Sequence, residues 1–182
     1  MSYFLIFVFS VFIGFVGHFL YEFSNHNRIA ALFFAVNEST WEHIKIGLTP
    51  LLLCTFIDAF FNGYIHNFWF NKFVSIFCFI ILIPLLFYFY KFFLKKHVLI
   101  IDIFIFVFSV FVSVLLNYYM NYYFINCNLN VIGIVGMFII IVAYFTWTYN
   151  PPKCFLFKDP ISNKYGINAH SHWSWIIYFN LI

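Results

Sequence analysis

The chain has 182 residues, 65% of them hydrophobic and only 8% charged, with a formal net charge of +3 and a mean hydropathy of +0.96. So few polar side chains cannot clothe a soluble domain of this size, and no basic run exceeds Lys95-Lys96, which excludes a soluble enzyme and a nucleic-acid binder. Cys54, Cys78, Cys127 and Cys154 fall singly on different segments without CxxC spacing, which argues against a disulfide framework or a zinc knuckle.

Five apolar stretches follow one another at residues 3–21, 46–65, 73–93, 98–120 and 129–149. Each matches the roughly 20 residues that cross a hydrocarbon core, where only a helix satisfies its own backbone. The predicted fold class is therefore all-α, a polytopic helical membrane protein with one domain over residues 1–149 and a cytoplasmic or interfacial tail over 150–182. The first stretch lacks a basic n-region and a small-residue cleavage site, so it is expected to stay as a span. Phe contributes 31 residues, but Ile, Asn and Tyr are abundant beside it, which fits biased codon usage better than a special aromatic device.

The connection over residues 23–45 is too long for a simple turn, and its own apolar run, 29–36, is too brief to span. It is expected to lie in the interface or dip in and return. Ser39-Thr40-Trp41-Glu42 fits the S/T-x-x-E capping box, with Asn37 as the alternative cap, so a helix should start here and run into the second span. Pro50 should kink that helix and release the carbonyl of Ile46. After the fifth span, Pro151-Pro152 forbids continuation, and Asp159-Pro160 followed by Ser162-Asn163 promotes a turn. His170 and His172 read as an exposed or interfacial pair, and the final apolar run, 172–179, as an interfacial segment.

With the N-terminus outside and the C-terminus inside, eight of the nine Lys and Arg residues fall on the inner side and Lys72 alone on the outer side. The positive-inside rule selects that orientation, and the net charge then points to anchoring at anionic lipid of the inner leaflet.

The runs His18-Phe19-Leu20-Tyr21-Glu22, Val36-Asn37-Glu38-Ser39-Thr40-Trp41-Glu42-His43-Ile44-Lys45 and Leu156-Phe157-Lys158-Asp159-Pro160 with Tyr165-Gly166 resemble an uncharacterised family of small multi-pass membrane proteins of Gram-positive bacteria. The resemblance covers residue 17 to about 167 and leaves the remainder as an addition. It implies a bacterial plasma-membrane protein and brings no activity or site with it.

Polar residues inside the spans supply the functional candidates. Ser10, Gly14, His18 and Glu22 form one stripe, small residues for helix contact followed by an ionisable pair near the inner face. Asp102, Ser109, Ser113 and Asn117 share a face of the fourth span, and Cys54, Asp58 and Asn62 a face of the second. The third span offers only Ser75 and Cys78, which predicts a lipid-facing outsider around a core of spans one, two, four and five. Asp58 is costly inside lipid unless protonated, paired or wet, with His66 and Lys72 as candidate partners; Asp102 in a first helical turn has a structural explanation.

His18, Glu22, Glu38, Glu42 and His43 form a candidate inner-face cluster whose residue types include common metal ligands. The competing explanation is that Glu38 and Glu42 favour a helix N-terminus and are neutralised by Lys45 and Arg28. No metal or cofactor is identified by spacing, since HExxH is absent. The favoured function is a non-enzymatic membrane component or permease-like accessory using Asp58, Asn62 and the Ser109-Ser113-Asn117 face. The alternative is a metal-dependent membrane-embedded hydrolase using the His/Glu cluster. Expected partners are the lipid bilayer and a second copy or another membrane protein, because five spans are few for an independent transporter.

Overall fold

The computed structural model describes residues 2–96, 98–123 and 127–169. It is all-α, with six α-helices and no strand among the described residues: α1 (Tyr3–Phe23), α2 (Arg28–Phe33), α3 (Thr40–Asn62), α4 (Phe68–Leu94), α5 (Leu99–Tyr122) and α6 (Asn130–Tyr149). Five of these are long and apolar enough to cross a membrane; α2, with six residues, is not. That agrees with the multi-pass reading and with a first connection whose apolar run is too brief to span.

The helices pack as a four-membered ring in which α1 touches α3 and α5, and α4 touches α3 and α5. Outside the ring, α6 docks chiefly on α4. The expectation that the third span is the outsider is thus corrected, because α4 contacts three other spanning helices. Two sequence signals account for the error. The helix begins at Phe68, five residues before the predicted start, so Asn71 and Lys72 join Ser75 on its buried face. On α6, Gly133 and Gly136 sit one turn apart, and their missing Cβ atoms let the Trp69–Phe70 backbone and the Phe73 ring of α4 press in.

Two other glycines admit aromatic rings into the ring of helices. Gly14 of α1 lies against the Phe106 ring of α5, and Gly47 of α3 against both Phe106 and the Phe79 ring of α4. Of the stripe foreseen on α1, Ser10 and Gly14 are buried and His18 and Glu22 half-buried, while the buried face continues through Gly17 and Tyr21. The helix α3 runs continuously through Pro50, and the hydroxyl of Thr49 lies 2.9 Å from the Lys45 carbonyl in the turn before it.

The bundle has two distinct ends. At one, the turns between α3 and α4 and between α5 and α6 are tied by Asn67, whose amide donates to Cys127 O (2.8 Å) and accepts from Leu129 N (2.7 Å). At the other lie the first connection, the α4–α5 turn and the tail. There the described part of the tail packs on the bundle: a 3₁₀ turn at Phe155–Phe157 buries Phe157 between Trp41 and Trp147, with ring centroids 5.1 and 5.3 Å away. The predicted histidine pair and the final apolar run, from residue 170 on, lie outside the described residues.

Replacing Gly14 by Leu forces a branched side chain against Phe106, which should cost about 1–3 kcal/mol. Gly133→Leu meets backbone, which cannot swing away, and should cost more. Thermal unfolding of the detergent-solubilised variants should show both losses, with Ile81→Leu on the exposed face of α4 near wild type.

Candidate functional site

At the tail end, α3 carries Glu42, Lys45 and Thr49 at helical spacing, facing the first connection. That connection has only six helical residues, so the carbonyls ending α2 and the amides after it have no ladder partner. The side chains of α3 supply those partners. Lys45 Nζ donates to Ala31 O at 2.8 Å and pairs with Glu42 Oε2 at 2.6 Å, and the same carboxylate oxygen accepts from Val36 N at 3.1 Å. Thr49 Oγ1 lies 2.7 Å from Phe33 O and 2.6 Å from Tyr144 Oη, so its one proton can serve a carbonyl while it accepts from the tyrosine. Lys45 and Glu42 are both essentially fully buried.

The expected capping box does not form. Ser39 occupies the N-cap of α3, but its side chain makes no cap bond, and its own N–H is taken by Asn37 Oδ1 at 2.8 Å. The reason is competitive: a buried ammonium and an orphan amide hold the Glu42 carboxylate more strongly than the Ser39 N–H can. Arg28, the other proposed neutraliser, is exposed.

Glu38 lies between two imidazoles. His18 Nε2 is 3.4 Å from its Oε1 and His43 Nε2 is 3.6 Å from its Oε2, with the two rings 5.6 Å apart. His43 Nδ1 sits 3.0 Å from Ser39 O, which can only accept, so Nδ1 carries a proton. Nε2 is then the nitrogen turned to Glu38, and the approach is favourable when a proton lies between them. Glu22 is elsewhere, 3.2 Å from His26 Nε2 one turn along. The set expected at the inner face therefore falls into three groups: His18, Glu38 and His43 together; Glu42 with Lys45; Glu22 with His26. Among the described residues no three His, Cys, Asp or Glu side chains are arranged to hold a metal ion.

Asp159, which sequence reasoning used only as a turn former, closes this end. It is buried, and its carboxylate accepts from Glu38 N (3.1 Å), Ser162 N (2.7 Å) and Ser162 Oγ (2.6 Å). Asn37 Nδ2 donates to Gly166 O at 3.0 Å, and Gly166 adopts φ +59, which favours glycine. The second and third motif runs thus meet in space. The available signal was Asp159-Pro160 ahead of Ser162, where a short acidic side chain can bond the backbone of the turn that follows it.

At the opposite end, Asp58 pairs with Lys72 Nζ at 2.8 Å and accepts from Asn62 Nδ2 at 2.8 Å. Lys72, one of the two candidate partners, is buried against the Phe68 ring. Beside this pair Ser113 Oγ donates to Ser75 O (2.8 Å), and Asn117 joins Asn121, which joins Asn71 (3.0 Å). Ser109 is buried on the same face without a hydrogen-bond partner among the described residues. Asp102 stands apart and accepts from the Tyr90 hydroxyl. A small cleft of about 20 Å³, room for about one water molecule, lies between α1, α3, α4 and α5, lined by Tyr3, Thr55, Lys72, Ser75, Ser113 and Asn117 among others.

Compared with known proteins, the chain matches a family of unknown function, DUF6512, over residues 2–167. No curated protein and no solved structure matches it. The matched region stops where the sequence resemblance stops and starts earlier, taking in all of α1.

Removing one member of a buried ion pair strands the other, at a cost of about 3–5 kcal/mol. Glu42→Gln and Lys45→Met should each destabilise the detergent-solubilised protein by that order, and the double variant by less than the sum of the two. Additive losses in a double-mutant cycle of unfolding free energies would remove the pair from its proposed role.

Proposed function

This chain belongs to the family of unknown function DUF6512, so its role is argued from its own geometry, and we propose that it is a non-enzymatic component of the bacterial plasma membrane, permease-like or accessory to another membrane protein. The observation that carries the reading is the use of the buried charges. Asp58 is matched by Lys72 and joins α3 to α4; Glu42 is matched by Lys45 and holds the first connection. Charges spent on holding helices together favour a scaffold over a reaction centre. The small cleft beside Lys72 adds the permease-like element, since Thr55, Lys72, Ser75, Ser113 and Asn117 bring polar groups among its apolar walls. The lipid bilayer and a second copy or another membrane protein complete the assembly.

Cys54, buried in the wall of that cleft, separates the two forms of the reading. In a permease-like protein the cleft opens, and a small membrane-impermeant thiol reagent should modify Cys54 in membranes, with Asp58→Asn changing the rate. A static accessory leaves Cys54 unmodified while exposed Cys127 reacts.

The proposed orientation is N-terminus outside and C-terminus inside. It is supported by the exposed Arg28, Lys91, Lys95, Lys96, Lys153, Lys158 and Lys164 at the tail end, against the buried Lys72 at the other. In intact cells an impermeant maleimide should label Cys127 and spare Cys154 until the membrane is permeabilised; the reverse pattern inverts the topology.

A second reading, a metal-dependent hydrolase, is favoured by one observation: Glu38 between His18 and His43 offers a carboxylate and two imidazoles at one membrane boundary. It requires those side chains to swing onto a common point. Metal content that tracks Glu38 and falls in Glu38→Gln supports it; no retained zinc or manganese in either protein discards it.

A further inference from the structure

We propose that the tail end of the bundle is a docking surface for anionic phospholipid headgroups, assembled by the fold from six lysines that lie far apart in sequence. Lys91, Lys95 and Lys96 close α4, and Lys153, Lys158 and Lys164 lie on the tail; all six are exposed. The acids of the same end are turned inward. Glu42 and Asp159 are buried, the side chain of the half-buried Glu38 is nearly covered, and each has partners inside the chain: imidazoles for Glu38, Lys45 for Glu42, and the Glu38 and Ser162 amides for Asp159. Glu22 and Asp102 are half-buried against His26 and Tyr90. A chain of formal charge +3 therefore shows this end a nearly unopposed cationic surface.

Two observations choose lipid over an acidic protein as the occupant. The lysines are interleaved with exposed apolar side chains: Phe92 and Phe93 stand between Lys91 and Lys95, and Phe155 follows Lys153, each exposing more than half of its surface. An acidic protein surface would leave those rings in water, whereas the boundary between headgroups and acyl chains receives both. The second is reach. With 27 residues, α4 is about 40 Å long, against a hydrocarbon core of roughly 30 Å, so its lysine-bearing end stands at headgroup depth. The tail brings its own lysines to the same level because Asp159 and Gly166 fasten it to the first connection. Phosphate oxygens of a lipid and of a free phosphate have the same chemistry, and the lipid brings acyl chains for the rings.

The test uses the full chain in phosphatidylcholine nanodiscs carrying a trace of spin-labelled lipid, either phosphatidylglycerol or phosphatidylcholine. The motionally restricted fraction should favour phosphatidylglycerol, and the preference should fall steeply with salt. Each lysine near the surface contributes about fivefold to attraction for an anionic leaflet, so Lys153→Gln, Lys158→Gln and Lys164→Gln together should remove most of it. Phe92→Ser with Phe93→Ser should weaken retention of the labelled lipid without changing the salt dependence. Equal restriction of the two lipids overturns the proposal, as does a preference untouched by the triple lysine change. A preference abolished by inorganic phosphate at matched ionic strength reassigns the surface to free phosphate and also overturns it. The proposal rests on the orientation reading only for which leaflet is occupied; nanodiscs expose both faces, so its failure here leaves the Cys127 and Cys154 labelling result standing.

Discussion

The fold turns on how the chain passes from α1 to α3 without a spanning segment between them. The stretch between these helices carries irregular backbone next to the membrane, where an unsatisfied N–H or C=O costs several kcal/mol. The solution is a single face of α3. Lys45 caps the Ala31 carbonyl, Glu42 takes the Val36 amide, Thr49 reaches the Phe33 carbonyl, and the ammonium and carboxylate neutralise each other. Each charge is kept inside only because the other is there, and the pair is kept because the backbone needs both a donor and an acceptor. This arrangement sets where α2 ends, and Asn37 and Glu38, which follow directly, are the residues to which the tail binds.

The opposite end uses the same device for a different purpose. Asp58 and Lys72 join two spanning helices rather than a loop, and the hydroxyls and amides of Ser75, Ser113, Asn117 and Asn121 continue the polar contact between α4 and α5. Between these ends the packing is apolar, with Phe79 and Phe106 seated against Gly14 and Gly47. The phenylalanine excess is therefore used structurally at these notches even if codon bias supplied it.

The spans were legible because membrane length and hydropathy leave little choice: each predicted stretch overlaps a long apolar helix, the second overrunning α3 by three residues, and the Ser39-Thr40 signal marked the start of α3, whereas α4 begins five residues earlier than apolarity suggested. The turns that precede the apolar stretches hold Glu42, Lys45, Asn71 and Lys72, of which Asn71 alone drew no notice in the sequence. The grouping of His18 with His43 was legible from helical position, and the pairing of Asp58 with Lys72 from the need of a buried carboxylate for a cation. Glu42 and Glu22 were grouped with them on depth alone, which fixes height along the bundle but not which way a side chain points. The order of helices around the bundle was not legible either, because it depends on Gly133 meeting backbone of α4, a relation between segments more than sixty residues apart.

The clasp between tail and first connection joins residues 121 and 129 positions apart, from Glu38 N to Asp159 and from Asn37 to Gly166. In a protein made and inserted from its N-terminus, α1, α2 and α3 enter the membrane while the tail is still to be synthesised. The first connection therefore waits for the Asp159 carboxylate that accepts from Glu38 N and for the Phe157 ring that packs on Trp41. Completion of the first connection is thus tied to the synthesis of the last long helix and the segment that follows it.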